Sequence, residues 1–317
     1  MKKNMSSSDS LSVPILLIGF NRPAAISKVF DRIRMAEPQK LYMSIDGARK
    51  NKKGESDLVN QVKEIVKKVD WPCETYYKFH NNNKGAEVNV SSAVAWVLSK
   101  EEYTIVLEDD IIAPLSFFRF MAEMLIRYKD DNRVAMVSGF NNTPIQTPDN
   151  VDYFFAKSGH IWGWGTWQRC WKNYNLNMEI KEEHLNLSYL RHISNSEAEA
   201  FYYQKLFKFM HNKGIGNNTW DAIFYYYRIV NNVLSIIPRV NLTSNIGTYG
   251  LHARGIKETH FLPTDDNFVV NRHPEIVECC QEFDIHHFDK YLNRTLIRKA
   301  MERLYAKIKL SIRPPQI

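Results

Sequence analysis

The first half of the chain alternates two hydrophobic periods. "VPILLIGF" is a continuous apolar run of strand length, and "NRPAAISKVFDRIR" follows it with Pro23 placed to open a helix. "KLYMSIDG" reads as a second strand that stops at Asp46 and Gly47. Ser56 is then positioned to cap a helix whose apolar residues Leu58, Val62, Ile65, Val66 and Val69 fall on one face. The pattern continues through a strand at "ETYYKFH", a helix at "VNVSSAVAWVLSK" and a strand at "YTIVLEDD". A helix at "PLSFFRFMAEMLIRYKDD" and a strand at "RVAMVSGF" complete it. Such alternation predicts an α/β fold with a mostly parallel sheet covered by helices on both faces. After residue 150 the alternation fades: helices are expected over 181–213 and 219–231, and a late strand and loop at "VLSIIPRVNLTSNIG". No internal repeat is visible.

Composition narrows the picture. The 317 residues are 44% apolar, enough to bury a real core without staples. The four cysteines include no CxxC pair, and adjacent Cys279 and Cys280 suit an ordinary disulfide poorly, so free thiols in a reducing, cytoplasmic setting are expected. The basic "MKKNMSSSDS" is followed by an apolar run too short for a signal peptide or a membrane span, and residues 1–10 read as disordered. Of the formal charge of +7, most lies at the end: from Tyr291 onward there are seven Lys or Arg against one Glu. With Leu292, Leu296, Leu304 and Ile308 in one stripe, that tail predicts a basic amphipathic helix, either packed on the domain or lying on an anionic membrane surface. No recognition motif accompanies the charge, which argues against nucleic acid as a partner.

In a parallel sheet of this kind ligands bind beyond the carboxyl ends of the strands. Asn21, Arg22, Asp46 and the consecutive acids Glu108, Asp109 and Asp110 all occupy such positions. The first strand leads into "GFNRPA", which has one glycine and lacks a dinucleotide fingerprint, and no P-loop is present. Clustered carboxylates suit a hard divalent cation that holds a diphosphate. The same triplet also reads as a solvated turn or a cap for the helix that Pro114 helps to start, Asp46 as a turn former before Gly47, and Arg22 as a surface residue.

"NRP" after the first strand, "SIDG" after the second, "VSSAVAWVL" before "VLEDDIIAPLSFF", and "VSGFN" beyond it resemble, in this order, the nucleotide-sugar-binding half of GT-A glycosyltransferases. The similarity is greatest to N-acetylglucosaminyltransferase I-like enzymes and their bacterial relatives, over residues 13–255. The resemblance implies a GT-A, Rossmann-like fold in which 11–150 binds the nucleotide-sugar, 151–285 forms the acceptor-binding and catalytic half, and 286–317 is the basic C-terminal helix. It implies that Asp110 binds Mn2+ or Mg2+ directly, that Asp109 supports the metal or sugar, and that Glu108 faces the ribose or donor sugar. Asn21, Arg22, Asp46 and Lys84 join the donor-binding set, with the Asp46 carboxylate accepting from a uracil N–H.

The acceptor side is expected in "SGHIWGWGTWQRCW", where flat aromatic faces and close-approach glycines suit a sugar. Trp162 and Trp164 are the candidate sugar contacts; Trp167 and Trp171, at helical spacing, read as core. An inverting transferase needs a carboxylate across the cleft to take the acceptor proton. Asp221 in "NNTWDAIFYYYR" is that candidate, in a setting expected to desolvate it and raise its pKa. The resembling enzymes carry "WDD" where this chain has Ala222, and as an ordinary acid at a helix start Asp221 needs no catalytic role. In the Gly-rich "SNIGTYGLHARG", His252 is a candidate metal ligand, against the blander reading of an ordinary loop histidine, and Arg254 a neutraliser of the leaving group. The reading is a metal-dependent glycosyltransferase that moves a sugar from a UDP-sugar to a glycan or lipid-linked glycan in bacterial surface polysaccharide synthesis. Its rivals are a nucleotidyltransferase acting on sugar phosphates and a non-catalytic sugar-binding protein.

Overall fold

The structure, a computed structural model, describes residues 11–143, 151–247 and 261–293. Its centre is an eight-stranded sheet in the order β3-β2-β1-β4-β8-β6-β9-β7. The first half follows the alternating pattern: β1 (Ile15–Gly19), α1 (Pro23–Ala36), β2 (Lys40–Ile45), α2 (Glu55–Val66), β3 (Glu74–Phe79), α3 (Ala86–Leu98) and β4 (Tyr103–Glu108). A two-residue strand β5 (Ile111–Ile112), α4 (Leu115–Arg127) and β6 (Val134–Ser138) follow. Beyond them come β7 (Tyr153–Ala156), β8 (Trp164–Trp167), α5 (Gln168–Trp171), α6 (Leu187–Ile193), α7 (Glu197–Lys213), α8 (Trp220–Val230), β9 (Leu234–Pro238), β10 (Ser244–Asn245) and α9 (Gln281–His287). The expected α/β class and mostly parallel sheet are what the chain forms: β3, β2, β1 and β4 run parallel, as do β6 and β9, while β8 and β7 run against them.

Strand periodicity divides the core. Ile15, Leu17, Met43, Ile105 and Leu107 face α1, α2 and α4 in one apolar cluster with Ile26, Phe30, Val62 and Phe117. Alternate residues of the same strands face α3, where Ser44 bonds Asn89 at 2.9 Å and Tyr42 meets Trp96 edge-on at 5.2 Å. The second helix starts at Glu55, not under a Ser56 cap: Gly54 stands at the N-cap with φ 79°, a left-handed backbone that glycine adopts without strain. No helix among the described residues is long and apolar enough to cross a membrane, and all four cysteines are free thiols.

By internal contacts the chain forms two units, Met1–Met178 with Ile215–Cys279, and Glu179–Gly214 with Cys280–Ile317. The first contains the whole sheet. In the second, Ser196 caps α7 by accepting from the Glu199 N–H, and Tyr203 stacks on Phe207 with ring centres 5.8 Å apart. The N-terminal residues 1–10 and the C-terminal tail from 294 lie outside the described residues.

Candidate active site

The chain runs outward from β1 through β2 to β3, then crosses back to lay β4 on the other side of β1. The loops that leave β1 and β4 therefore diverge at one point of the sheet's rim, the place where open α/β sheets hold ligands. Ile18 pairs with Glu108 across that point, so the residues just beyond each strand meet. Arg22 stands at the N-cap of α1 without capping it, because Pro23 at the first helical position fixes the backbone and removes one donor that needed a cap. Its guanidinium instead bridges two acids, one nitrogen donating to Asp109 and the other to Asp110 at 2.8 Å. Asp109 is buried and also accepts from the Phe20 N–H at 3.3 Å.

These groups perturb one another. Burial works against the charge on Arg22, but Asp109 and then Asp110 outweigh it and hold the guanidinium protonated above its ordinary value. Burial pushes Asp109 up to about 6, with Arg22 opposing. The carboxyl of half-buried Glu108, which has no side-chain hydrogen bond among the described residues, is pushed up to about 8. Burial is the first cause there, followed by the charges of Asp110 and Asp109, with Arg22 opposing and Asp221 adding to the rise. That last influence places Asp221, on the first turn of α8, within electrostatic reach of the acidic lip.

Around this centre the β2 mouth is tied down. Asp46 is buried and accepts four hydrogen bonds: Gly47 N–H at 2.8 Å, Lys84 N–H at 2.8 Å, Gly85 N–H at 3.0 Å and Asn83 Nδ2 at 2.9 Å. Four donors occupy a carboxylate's usual capacity, and the Asp46 carboxylate, expected to accept from a uracil N–H, here shapes the loop leading into α3. Lys84 contributes a backbone amide to it and leaves an exposed side chain. Asn21 donates to buried Glu55 at 2.9 Å, Glu55 is chelated by Arg49, and the Arg49 guanidinium lies 5.6 Å over the Phe20 ring.

On the opposite side, Trp164 is fully buried, stacked on Trp220 at 5.6 Å and against Phe224 at 5.5 Å. It is a core residue, not the sugar contact expected of it: β8 inserts between β4 and β6, so its side chains have helix layers over them. Trp162, two residues before the strand, is half-buried and packs edge-on against Phe140 at 4.7 Å. Trp167 and Trp171 are buried as expected, though the first is on β8 and the second on α5. Asp221 is exposed rather than desolvated, since the first turn of α8 turns it away from the apolar face that buries Trp220 and Ile223. Glu87, at the start of α3, accepts from the Trp220 N–H at 2.7 Å and so anchors that turn. His252 and Arg254 lie outside the described residues.

Three residues of the rim escape sequence reasoning. Gly247 packs so tightly on the lip that a Cβ there would stand 2.3 Å from Asp110 Oδ2 and 3.0 Å from Asn245 Oδ1. Two side-chain oxygens thus lie close to one glycine, Asn245 Oδ1 accepting from the Gly247 N–H at 2.7 Å and Asp110 Oδ2 from Arg22 at 2.8 Å. His80, just past β3, has its Nε2 buried, and desolvation lowers its pKa. The glycine in "SNIGTYG" and the histidine ending "YYKFH" were the available signals, but neither has a spacing that points to the lip.

Among the described residues no three His, Cys, Asp or Glu side chains gather in the manner of a resident metal site. The oxygens of Asp110 and Asn245 fit a different mode, in which a hard cation takes one carboxylate and few other protein ligands and draws the rest from phosphate and water.

The fold and rim define an α/β protein of Rossmann-like order with an arginine-bridged acidic pair at the sheet's switch point. No protein-family model matches the chain, and no curated protein matches it. Among solved structures it is similar to a mannosyltransferase of Pyrobaculum calidifontis in complex with GDP-Man and Mn2+, at 13% identity and a TM-score of 0.34, over 50% of this chain and 44% of that one. It is also similar to a 4-diphosphocytidyl-2C-methyl-D-erythritol synthase of Anaerococcus prevotii, at 12% identity and a TM-score of 0.34, over 70% of this chain and 98% of that one. The chain thus spans less than half the length of the mannosyltransferase.

Proposed function

We propose that the chain is a glycosyltransferase that takes a sugar from a nucleotide-sugar, a UDP-sugar in the first instance, and passes it with inversion to a hydroxyl of a glycan in surface polysaccharide synthesis. The observation that carries this reading is the meeting of Arg22, Asp109 and Asp110 at the switch point. When bound, Mn2+ or Mg2+ supplies charge neutralisation for the departing diphosphate; Asp110, with Asn245 beside it, would hold it.

The chain's own groups divide the remaining work. Glu108, whose carboxyl burial and the neighbouring acids push up in the ligand-free protein, faces the donor sugar. Arg22 offers a planar fork of donors to phosphate oxygens. Asp221, on a turn anchored through Trp220 and Glu87, takes the proton from the acceptor hydroxyl as that oxygen attacks the anomeric carbon. Trp162 presents a partly open ring to the acceptor.

The test is a screen of UDP-, GDP- and CMP-sugars with Mn2+, reading nucleotide release by chromatography. Asp110→Asn is expected to lower release at least about 100-fold, and Asp221→Asn to suppress transfer by about 100-fold or more while donor affinity stays within about threefold. Release of pyrophosphate from a nucleoside triphosphate and a sugar phosphate, with no action on nucleotide-sugars, would replace this reading with nucleotidyl transfer.

A further inference from the structure

Arg22 holds the two acids that a cation would need. We propose that it is an internal counter-ion: it occupies Asp109 and Asp110 in the ligand-free protein, shuts free divalent cations out, and releases the pair only when a diphosphate arrives to receive the guanidinium. This deepens the glycosyltransferase reading and rests on it for the identity of the diphosphate.

The geometry supplies the reason. The Arg22 side chain is 31% exposed, whereas the carboxylates it bridges are 3% and 14% exposed. The guanidinium therefore spans from the buried floor of the rim to its open side, and its head has a solvent-facing side along which to leave. Asp109 has no second cation within hydrogen-bond reach among the described residues, since its other partner is the Phe20 N–H. Pulling Arg22 away with nothing in return would strand a buried anion and a desolvated guanidinium together, which is strongly unfavourable. A bare aqueous cation would have to bear that cost while gaining few protein oxygens among the described residues: beside Gly247 these are Asp110 Oδ2 and Asn245 Oδ1, and the latter already accepts from the Gly247 N–H at 2.7 Å. A cation that comes with a diphosphate changes both sides of the exchange. It replaces the positive charge on the acids, and the phosphate oxygens accept the forked N–H groups that the acids give up.

Cation and diphosphate must then bind as a strongly coupled pair, and the coupling resides in one side chain. Lysine would not reproduce it, since a single ammonium cannot hold two separate carboxylates in one fork. The backbone favours the swap: Arg22 sits at an N-cap that needs no side-chain cap, so helix α1 loses nothing when the guanidinium moves.

The measurement is the affinity for Mn2+ alone, from the EPR signal of free aqueous Mn2+, for the full chain without nucleotide and then with saturating UDP or GDP. For wild type we expect weak binding of Mn2+ alone and at least a 30-fold tightening with a nucleoside diphosphate. Arg22→Met should bind Mn2+ alone about tenfold or more tightly than wild type, lose most of the tightening by nucleotide, and lose its gain when Asp110→Asn is added. Arg22→Lys should fall between and serves if the methionine variant fails to fold. The proposal is overturned if removing the guanidinium leaves affinity for Mn2+ alone unchanged or weaker, or if wild type binds Mn2+ equally well with and without nucleotide. Should wild type bind no nucleoside diphosphate at all, the functional reading fails, while the arm without nucleotide still decides whether Arg22 blocks the acids.

Discussion

Glu108 carries the most perturbed carboxyl of the rim, and the sign of its effect can be worked out. Its pKa is pushed from an ordinary 4.5 up to about 8, first by burial and then by Asp110 and Asp109. The folded protein therefore holds this proton more tightly than the unfolded chain, so the group's contribution to stability falls as pH rises between those values. Glu108→Gln keeps the shape and removes the ionisation. In thermal unfolding of the ligand-free protein the variant should match wild type to within about 1 °C at pH 5 and exceed it by a few °C at pH 8.5. A wild-type advantage at the higher pH would show that the carboxylate is stabilised by partners and not penalised by burial.

At the scale of elements, the rim is built by side chains that fasten one loop to the next. Asp46 holds the segment before α3 through the Lys84 and Gly85 backbone amides and the Asn83 side chain, and its own loop through the Gly47 amide; no other acid reaches them among the described residues. Asp46→Ala should cost roughly 2–4 kcal/mol in urea unfolding, because several donors lose their acceptor together. Amide exchange at Lys84 and Gly85 should speed up more than exchange within β2. Asp46→Asn, which keeps an acceptor oxygen, should cost about half as much. Equal exchange at those amides in wild type and the alanine variant would mean the loop is held by something other than this carboxylate.

The whole molecule carries a formal charge of +7. Exposed Lys50, Lys52 and Lys53 lie in the loop between β2 and α2, which opens on the same end of the sheet as Arg22. A diphosphate ligand should feel this field. Donor affinity, measured by calorimetry with metal held constant, is expected to fall several-fold between about 50 and 500 mM salt. Replacing the three lysines with alanine should flatten that dependence. A salt response identical in the triple variant would leave the field of this loop without a role.

What the sequence by itself determined was the order of strands and helices through β6, the two-residue β5 apart, and the placement of Arg22, Asp46 and the acidic triplet at strand ends. Those follow from local periodicity and from where each apolar run stops, both properties of neighbouring residues. The tertiary structure alone decided which of these groups meet. Trp164 became core because β8 slid between two strands far from it in sequence, and Asp46 became an anchor because a loop from residues 83–85 folded over it. Arg22 closed on Asp109 and Asp110 from 87 and 88 residues away. Burial and pairing are sums over neighbours in space, and a chain read in order shows only neighbours in line.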